Sequence, residues 1–173
     1  MSDWGREERD DGQLPIDTSL LDPSSGLFVQ SFFIATVNWR LAACRRVLRP
    51  LALVLLEVVD GLPAGPIVPS DPKVVAAMVR ATLRTSDVAA RVADGTYGLL
   101  LEDTPEDGAV WAVERVRRSL EARAGSRVLR AGVACYPGQA MTARDMLVGA
   151  QRALASAREW PQDRIEVAAP GPV

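Results

Sequence analysis

The sequence predicts an α+β protein with a ferredoxin-like βαββαβ core, an antiparallel sheet and one extra helix at each end. Three observations carry that prediction. "LALVLLEVV", residues 51–59, is apolar throughout except for Glu57, the pattern of a strand covered on both faces. Asp94-Gly95 stands between the β-prone runs "VAARV" and "TYGLLL", a strong short-range hairpin signal in which both turn residues tolerate a positive φ. Once the first and last helices are set aside, the periodicities alternate as strand, helix, strand, strand, helix, strand. Four of the strands should form the antiparallel sheet, with helices packed mainly on one face.

Residues 1–20 are charged and turn-rich and read as a flexible tail. The folded domain is expected over 21–168, with 169–173 as a short C-terminal tail. From Leu27 to Leu48, Phe28, Phe32, Val37, Leu41, Cys44 and Leu48 recur near one helical face, and Pro50 ends the pattern. After the apolar strand, "DGLPAGPIVPSDP" is loop. Asp71-Pro72 then starts a helix as N-cap and first residue, with Val75, Val79 and Leu83 inward and an end near Thr85. Beyond the hairpin, Thr104-Pro105 is expected to cap a helix that turns Val110, Val113, Val116 and Leu120 inward. "RVLRAGVACY" reads as a strand, Thr142 and Asp145 as a capping box for a helix to about Arg158, and "DRIEVA" as a closing strand.

Composition excludes whole classes of function. The 173 residues contain no histidine, which removes Ser-His-Asp, Cys-His and His-ligated metal chemistry and leaves carboxylates for any catalysis. Net charge is -2 with both signs interspersed, so there is no basic stripe for nucleic acid. Cys44 and Cys135 sit in apolar segments without zinc-site spacing and read as buried thiols of a reducing compartment. With a polar N-terminus and no bilayer-length apolar run, no membrane partner is expected and the location is expected to be cytoplasmic.

Five blocks of the sequence, taken in order, carry a family likeness. "DPSSGLF", "RPLALVLLEVVD", "LRTSDVAARVADGTYGLLLEDT", "AVERVRRSL" and "RAGVACYP" resemble the successive signature blocks of bacterial GGDEF domains. The likeness covers roughly residues 20–168. It implies a palm-like ferredoxin core and, in members with the full motif, diguanylate cyclase activity. In those members the hairpin tip presents Gly-Gly-Asp/Glu-Glu-Phe, whose first acidic residue shares two metal ions with an aspartate of the first strand.

The chain departs from this pattern. The five motif positions are Ala93, Asp94, Gly95, Thr96 and Tyr97, so only the aromatic position is kept in kind. The first-strand aspartate aligns with Glu57, and the guanine-reading aspartate falls on or near Pro69 in a shortened loop. Arg158 aligns with a phosphate-contacting lysine, although an arginine in the last turn of a helix also suits the helix dipole. Two magnesium ions need several fixed oxygen ligands, so the resemblance implies an inactive cyclase with no metal, no cofactor and no catalytic residue in place.

A second family site is present. Many members carry Arg-x-x-Asp upstream of the hairpin, where the product cyclic di-GMP inhibits, and Arg84-Thr85-Ser86-Asp87 matches it. An arginine of the next helix contributes in the family, and ungapped counting from Tyr97 puts it at Arg115. Guanidinium groups fork onto phosphate or the guanine O6/N7 edge, and a carboxylate accepts from guanine N–H groups. The same residues also have plain structural uses. Arg84 would complement a helix C-terminus, Asp87 would serve a turn, and Arg115 would be solvated beside Glu114.

Trp39, Trp111 and Trp160 read as packing or interface residues rather than stacking platforms for bases, given no basic groove, and Glu102, Asp103, Glu106 and Asp107 as charges favoured at a helix start. Three functions remain in order of expectation: a cyclic di-GMP receptor, a nucleotide-independent protein-interaction module, and a cyclase of altered substrate using Glu57, Asp60 or Asp94. The first carries the further expectation of a homodimer bridged by ligand, and a protein partner is expected for either of the first two. With only a short tail before Asp22, signal input is expected through ligand, partner or expression level.

Overall fold

Strand β2 (Leu51–Asp60) runs through the centre of the sheet, and its first six residues are all buried. Successive side chains of a strand point to opposite faces, so such a run demands cover on both. Ala52, Val54, Leu56 and Val58 pack with helices α2 (Pro72–Thr82) and α3 (Glu106–Glu121), while Leu51, Leu53 and Leu55 pack with α1 (Gln30–Val47) and α4 (Ala143–Arg158). Helices thus cover the sheet in pairs on both faces, which corrects the expectation of cover mainly on one. The two terminal helices are not additions to a two-layer core; they supply the second layer that the apolar run requires. Each Leu or Val buried in this way contributes on the order of 1.5–3 kcal/mol.

The computed structural model of the chain describes residues 16–61, 67–122 and 127–170. The strands lie in the order β1 (Phe28–Val29), β4 (Val88–Ala93), β5 (Thr96–Glu102), β2, β6 (Arg127–Tyr136) and β7 (Arg164–Val167), and β3 (Val68–Pro69) pairs with the far end of β2. The four central strands are antiparallel throughout, as expected, and β1 and β7 add parallel edges. At Gly132 a β-carbon would stand 2.2 Å from Ala150 O and 2.3 Å from Leu154 N. Only glycine lets α4 lie this close to β6.

Local chemistry sets the element ends. Asp71 accepts from Lys73 N at 2.9 Å ahead of Pro72, and Thr142 and Asp145 close a reciprocal capping box at 3.1 Å each way. Helix α3 differs from expectation: Pro105 occupies its N-cap, and the Thr104 hydroxyl instead donates to Glu102 O at 2.7 Å. Its inward set is Ala109, Val113, Val116 and Leu120, with Val110 only half-buried. Helix α1 starts at Gln30 because Phe28 and Val29 pair with β4, and α2 stops at Thr82 where Leu83 turns extended.

Of the expected N-terminal tail, Thr18–Leu20 form a 3-10 turn capped by Asp17; residues 1–15 and 171–173 lie outside the described residues. Cys44 and Cys135 are buried free thiols, and burial pushes the Cys135 thiol up to about 12. No helix among the described residues is long and apolar enough to cross a membrane.

Candidate functional site

The link from α2 to β4 is a turn built by Arg84 and Asp87. Asp87 N donates to Arg84 O at 3.0 Å, and Asp87 Oδ2 accepts from Arg84 N at 2.9 Å. Asp87 Oδ1 also accepts from Glu102 N at 3.3 Å, tying the turn to β5. Asp87 therefore serves the turn, and two accepted bonds leave its carboxylate acceptor capacity to spare. Only the backbone of Arg84 takes part; its exposed guanidinium has no partner among the described residues.

Arg115 reaches the same place from α3. Its Nη2 donates to Thr82 O at 2.6 Å, and its guanidinium lies 5.1 Å from the centre of the Trp111 ring. It satisfies a terminal carbonyl of α2 and sets positive charge at that helix's negative end. The helix-complementing role considered for Arg84 thus falls to Arg115. Glu114 pairs instead with Arg117 at 2.8 Å, so Arg115 is not a solvated partner of its neighbour.

Arg84, Asp87 and Arg115 line one hollow of about 140 Å³, together with Leu83, Pro105 and Trp111. A larger groove of about 580 Å³, bordered by Leu27 and Arg80, opens beyond the turn and shares Leu83, Arg84 and Asp87. The hollow alone is smaller than the ~300–1,000 Å³ of ordinary ligand sites, and the groove on the other side of its shared wall falls within that range. The three residues named from the sequence are therefore brought together on one surface.

The hairpin tip is a separate place. Only Gly95 takes a positive φ, +66°, and a bulge between Arg91 and Ala93 adjusts the pairing, so the tip does not need positive φ at Asp94. Asp94 is 81% exposed and bonded to Arg91 at 2.6 Å. A β-carbon at Gly95 would meet Pro69 Cβ at 2.9 Å, because β3 brings Pro69 against the turn. Ala93 pairs with the buried Thr96. Tyr97 is wholly buried in the core, and burial pushes its hydroxyl up to about 12.

Glu57 lies between Thr96 of β5 and Arg130 of β6 in register. Its Oε2 accepts from Arg158 Nε at 3.2 Å and lies 3.7 Å from Nη1 of the buried Arg130. Asp60 accepts from Ser70 Oγ at 2.6 Å and Arg127 Nε at 2.9 Å. Among the described residues no group of three acidic, cysteine or histidine side chains could hold a metal ion. One carboxylate already engaged by two guanidiniums does not fit a pair of magnesium ions.

Sequence reasoning missed Trp111 as a wall of the hollow and Arg130 as a partner of Glu57. Two signals pointed to them. Trp111 precedes Arg115 by one helical turn, and Arg130 is a charge inside an apolar strand. Trp39 and Trp160, like Trp111, are exposed rather than packed in the core.

The antiparallel centre, parallel edges and paired helices define a palm-like α+β domain. Solved structures that this chain resembles include GGDEF domains. That of PA1120 (TpbB or YfiN) from Pseudomonas aeruginosa is 22% identical with a TM-score of 0.74, covering 86% of this chain and 94% of its own. That of DgcB from Caulobacter crescentus, solved in complex with c-di-GMP, is 14% identical with a TM-score of 0.74, covering 92% and 98%. Diguanylate cyclase SiaD from Pseudomonas aeruginosa, solved with its activator SiaC, is 23% identical with a TM-score of 0.71, covering 87% of this chain and 62% of its own. No family model matches the sequence, and no curated protein matches it.

Proposed function

We propose that this chain is a degenerate GGDEF domain that has lost cyclase chemistry and acts in signalling as a cyclic di-GMP receptor through Arg84, Asp87 and Arg115. The observation that carries this reading is the convergence of those three side chains on one hollow. Arg84 offers an uncommitted guanidinium for phosphate or the guanine O6/N7 edge, and Asp87 retains acceptor capacity for guanine N–H groups. The c-di-GMP complex of DgcB supports a nucleotide partner for this fold. Inactivity is supported by Gly95 at the position of a metal-binding carboxylate and by the engagement of Glu57 with Arg130 and Arg158.

The test is calorimetric titration with cyclic di-GMP of the wild-type protein and the Arg84→Ala variant. Saturable heat in the first and none in the second is expected; absence of heat at about 100 μM protein overturns the receptor. Light scattering during the titration reads whether ligand joins two protomers. Incubation with GTP or ATP and magnesium is expected to give no product, and any cyclic dinucleotide formed would restore the enzyme reading.

Trp39, 68% exposed on α1, and Leu48, 83% exposed at its end, favour a second reading as a nucleotide-independent interaction module. The SiaD–SiaC complex supports a protein partner for this fold. In that case cyclic di-GMP leaves the melting temperature unchanged.

A further inference from the structure

We infer that Trp111 is a stacking platform for a guanine base of the ligand, a contact that gives the hollow its preference for a purine over a bare phosphate. The inference rests on the receptor reading of the same hollow and assigns a base-contacting residue within it.

Trp111 is 57% exposed on α3 although it lines the hollow with Leu83, Arg84 and Arg115. A large aromatic left this open has surface to bury against a partner. Its ring is held in place: Arg115 lies 5.1 Å from the ring centre and is itself fixed by its 2.6 Å bond to Thr82 O. The indole is thus prearranged, and a base that stacks on it pays little ordering cost.

The hydrogen-bonding groups around it suit guanine. Arg84 can fork onto O6 and N7, and Asp87 can accept from the N1–H and amino group, which are in-plane contacts at the edge of a base. Edge contacts alone leave the base faces in water. An aromatic ring beside them supplies the face contact, the usual division of labour where unpaired bases are read by proteins. Phosphate has no face to stack, so it would engage the guanidiniums without Trp111.

The experiment compares the full chain with Trp111→Ala and Trp111→Phe by titration with cyclic di-GMP, each variant first shown to melt cooperatively. Loss of the ring is expected to weaken binding about tenfold or more, while phenylalanine retains most of the affinity. Because alanine also removes the support of Arg115, a second readout isolates stacking. In a Trp4→Phe, Trp39→Phe, Trp160→Phe protein, Trp111 is the sole indole. Guanine in face contact quenches indole emission by electron transfer, so saturable quenching is expected at the calorimetric midpoint, and inorganic phosphate should leave the emission unchanged.

Wild-type binding with unchanged affinity in Trp111→Ala overturns this inference and leaves the receptor reading standing. Weaker binding of Trp111→Ala without quenching also overturns it, since the indole then acts only through Arg115. No binding by the wild type overturns both.

Discussion

Arg158 donates to the carboxylate of Glu57 at 3.2 Å although the two residues stand 101 positions apart. The bond joins the last turn of α4 to the middle of the sheet, where Arg130 is buried beside the same carboxylate. The carboxylate is thus met by two guanidiniums of the protein itself.

Glu57→Gln should therefore destabilise the fold, because it leaves the Arg130 guanidinium buried without an anion. Breaking a fully buried pair costs ~3–5 kcal/mol, but the 3.7 Å separation and the half-exposed Arg158 reduce that to about 1–3 kcal/mol. Urea unfolding midpoints measure it. A midpoint equal to wild type would mean that Arg130 is held by its bond to Trp160 O alone.

Gly95→Glu, which puts a carboxylate at the turn position itself, should destabilise by about 1–3 kcal/mol and confer no cyclase activity. The residue must hold φ +66° with its β-carbon 2.9 Å from Pro69 Cβ. Adding Pro69→Gly should recover part of the loss, and a double-mutant cycle by thermal unfolding reads the coupling. Strict additivity would show that Pro69 is not the obstacle.

Arg84 and Asp87 should separate by assay. Asp87→Ala removes the acceptor of two backbone N–H groups and should cost about 1–3 kcal/mol of stability. Arg84→Ala, whose side chain is exposed, should change stability by less than about 0.5 kcal/mol while abolishing ligand binding. Equal destabilisation by both would give Arg84 a structural role.

Asp22 should make stability depend on acid pH. Partial burial pushes its carboxyl up, but hydrogen bonds from Ser24, Ser25 and the Ser25 amide, with Arg91 beside it, carry it down from 3.8 to about 2. A depressed folded value contributes stability that is whole above the unfolded value near 3.8 and is lost as pH falls through about 2. The contribution is at most about 2 kcal/mol, and unfolding free energies of Asp22→Asn should fall less than those of wild type between pH 5 and pH 2.

Much of the fold was legible because local rules agreed with the tertiary structure. Asp71-Pro72, the Thr142–Asp145 box and the glycine of the hairpin each act within three residues, so sequence adjacency carries them. Cover on both sheet faces was implied by the 51–59 run, yet assigning helices to faces needs packing directions that periodicity lacks. At the site, Arg84, Asp87 and Arg115 were legible only through the family resemblance, and the structure sets all three on one hollow. The Glu57 pairings were not legible, since Arg130 and Arg158 reach it only through strand register and the placing of α4.

Gly132 turns that last point into something readable in other chains. Its missing side chain sets how near α4 sits to the sheet, with the Ala150 and Leu154 backbone where a β-carbon would be. Any residue larger than glycine there should force α4 away from β6 and is expected to carry position 158 outward with it. A relative with a side chain at this position should have lost the reach of Arg158 to strand β2, so one letter in an alignment forecasts whether that strand's acid is neutralised or left free.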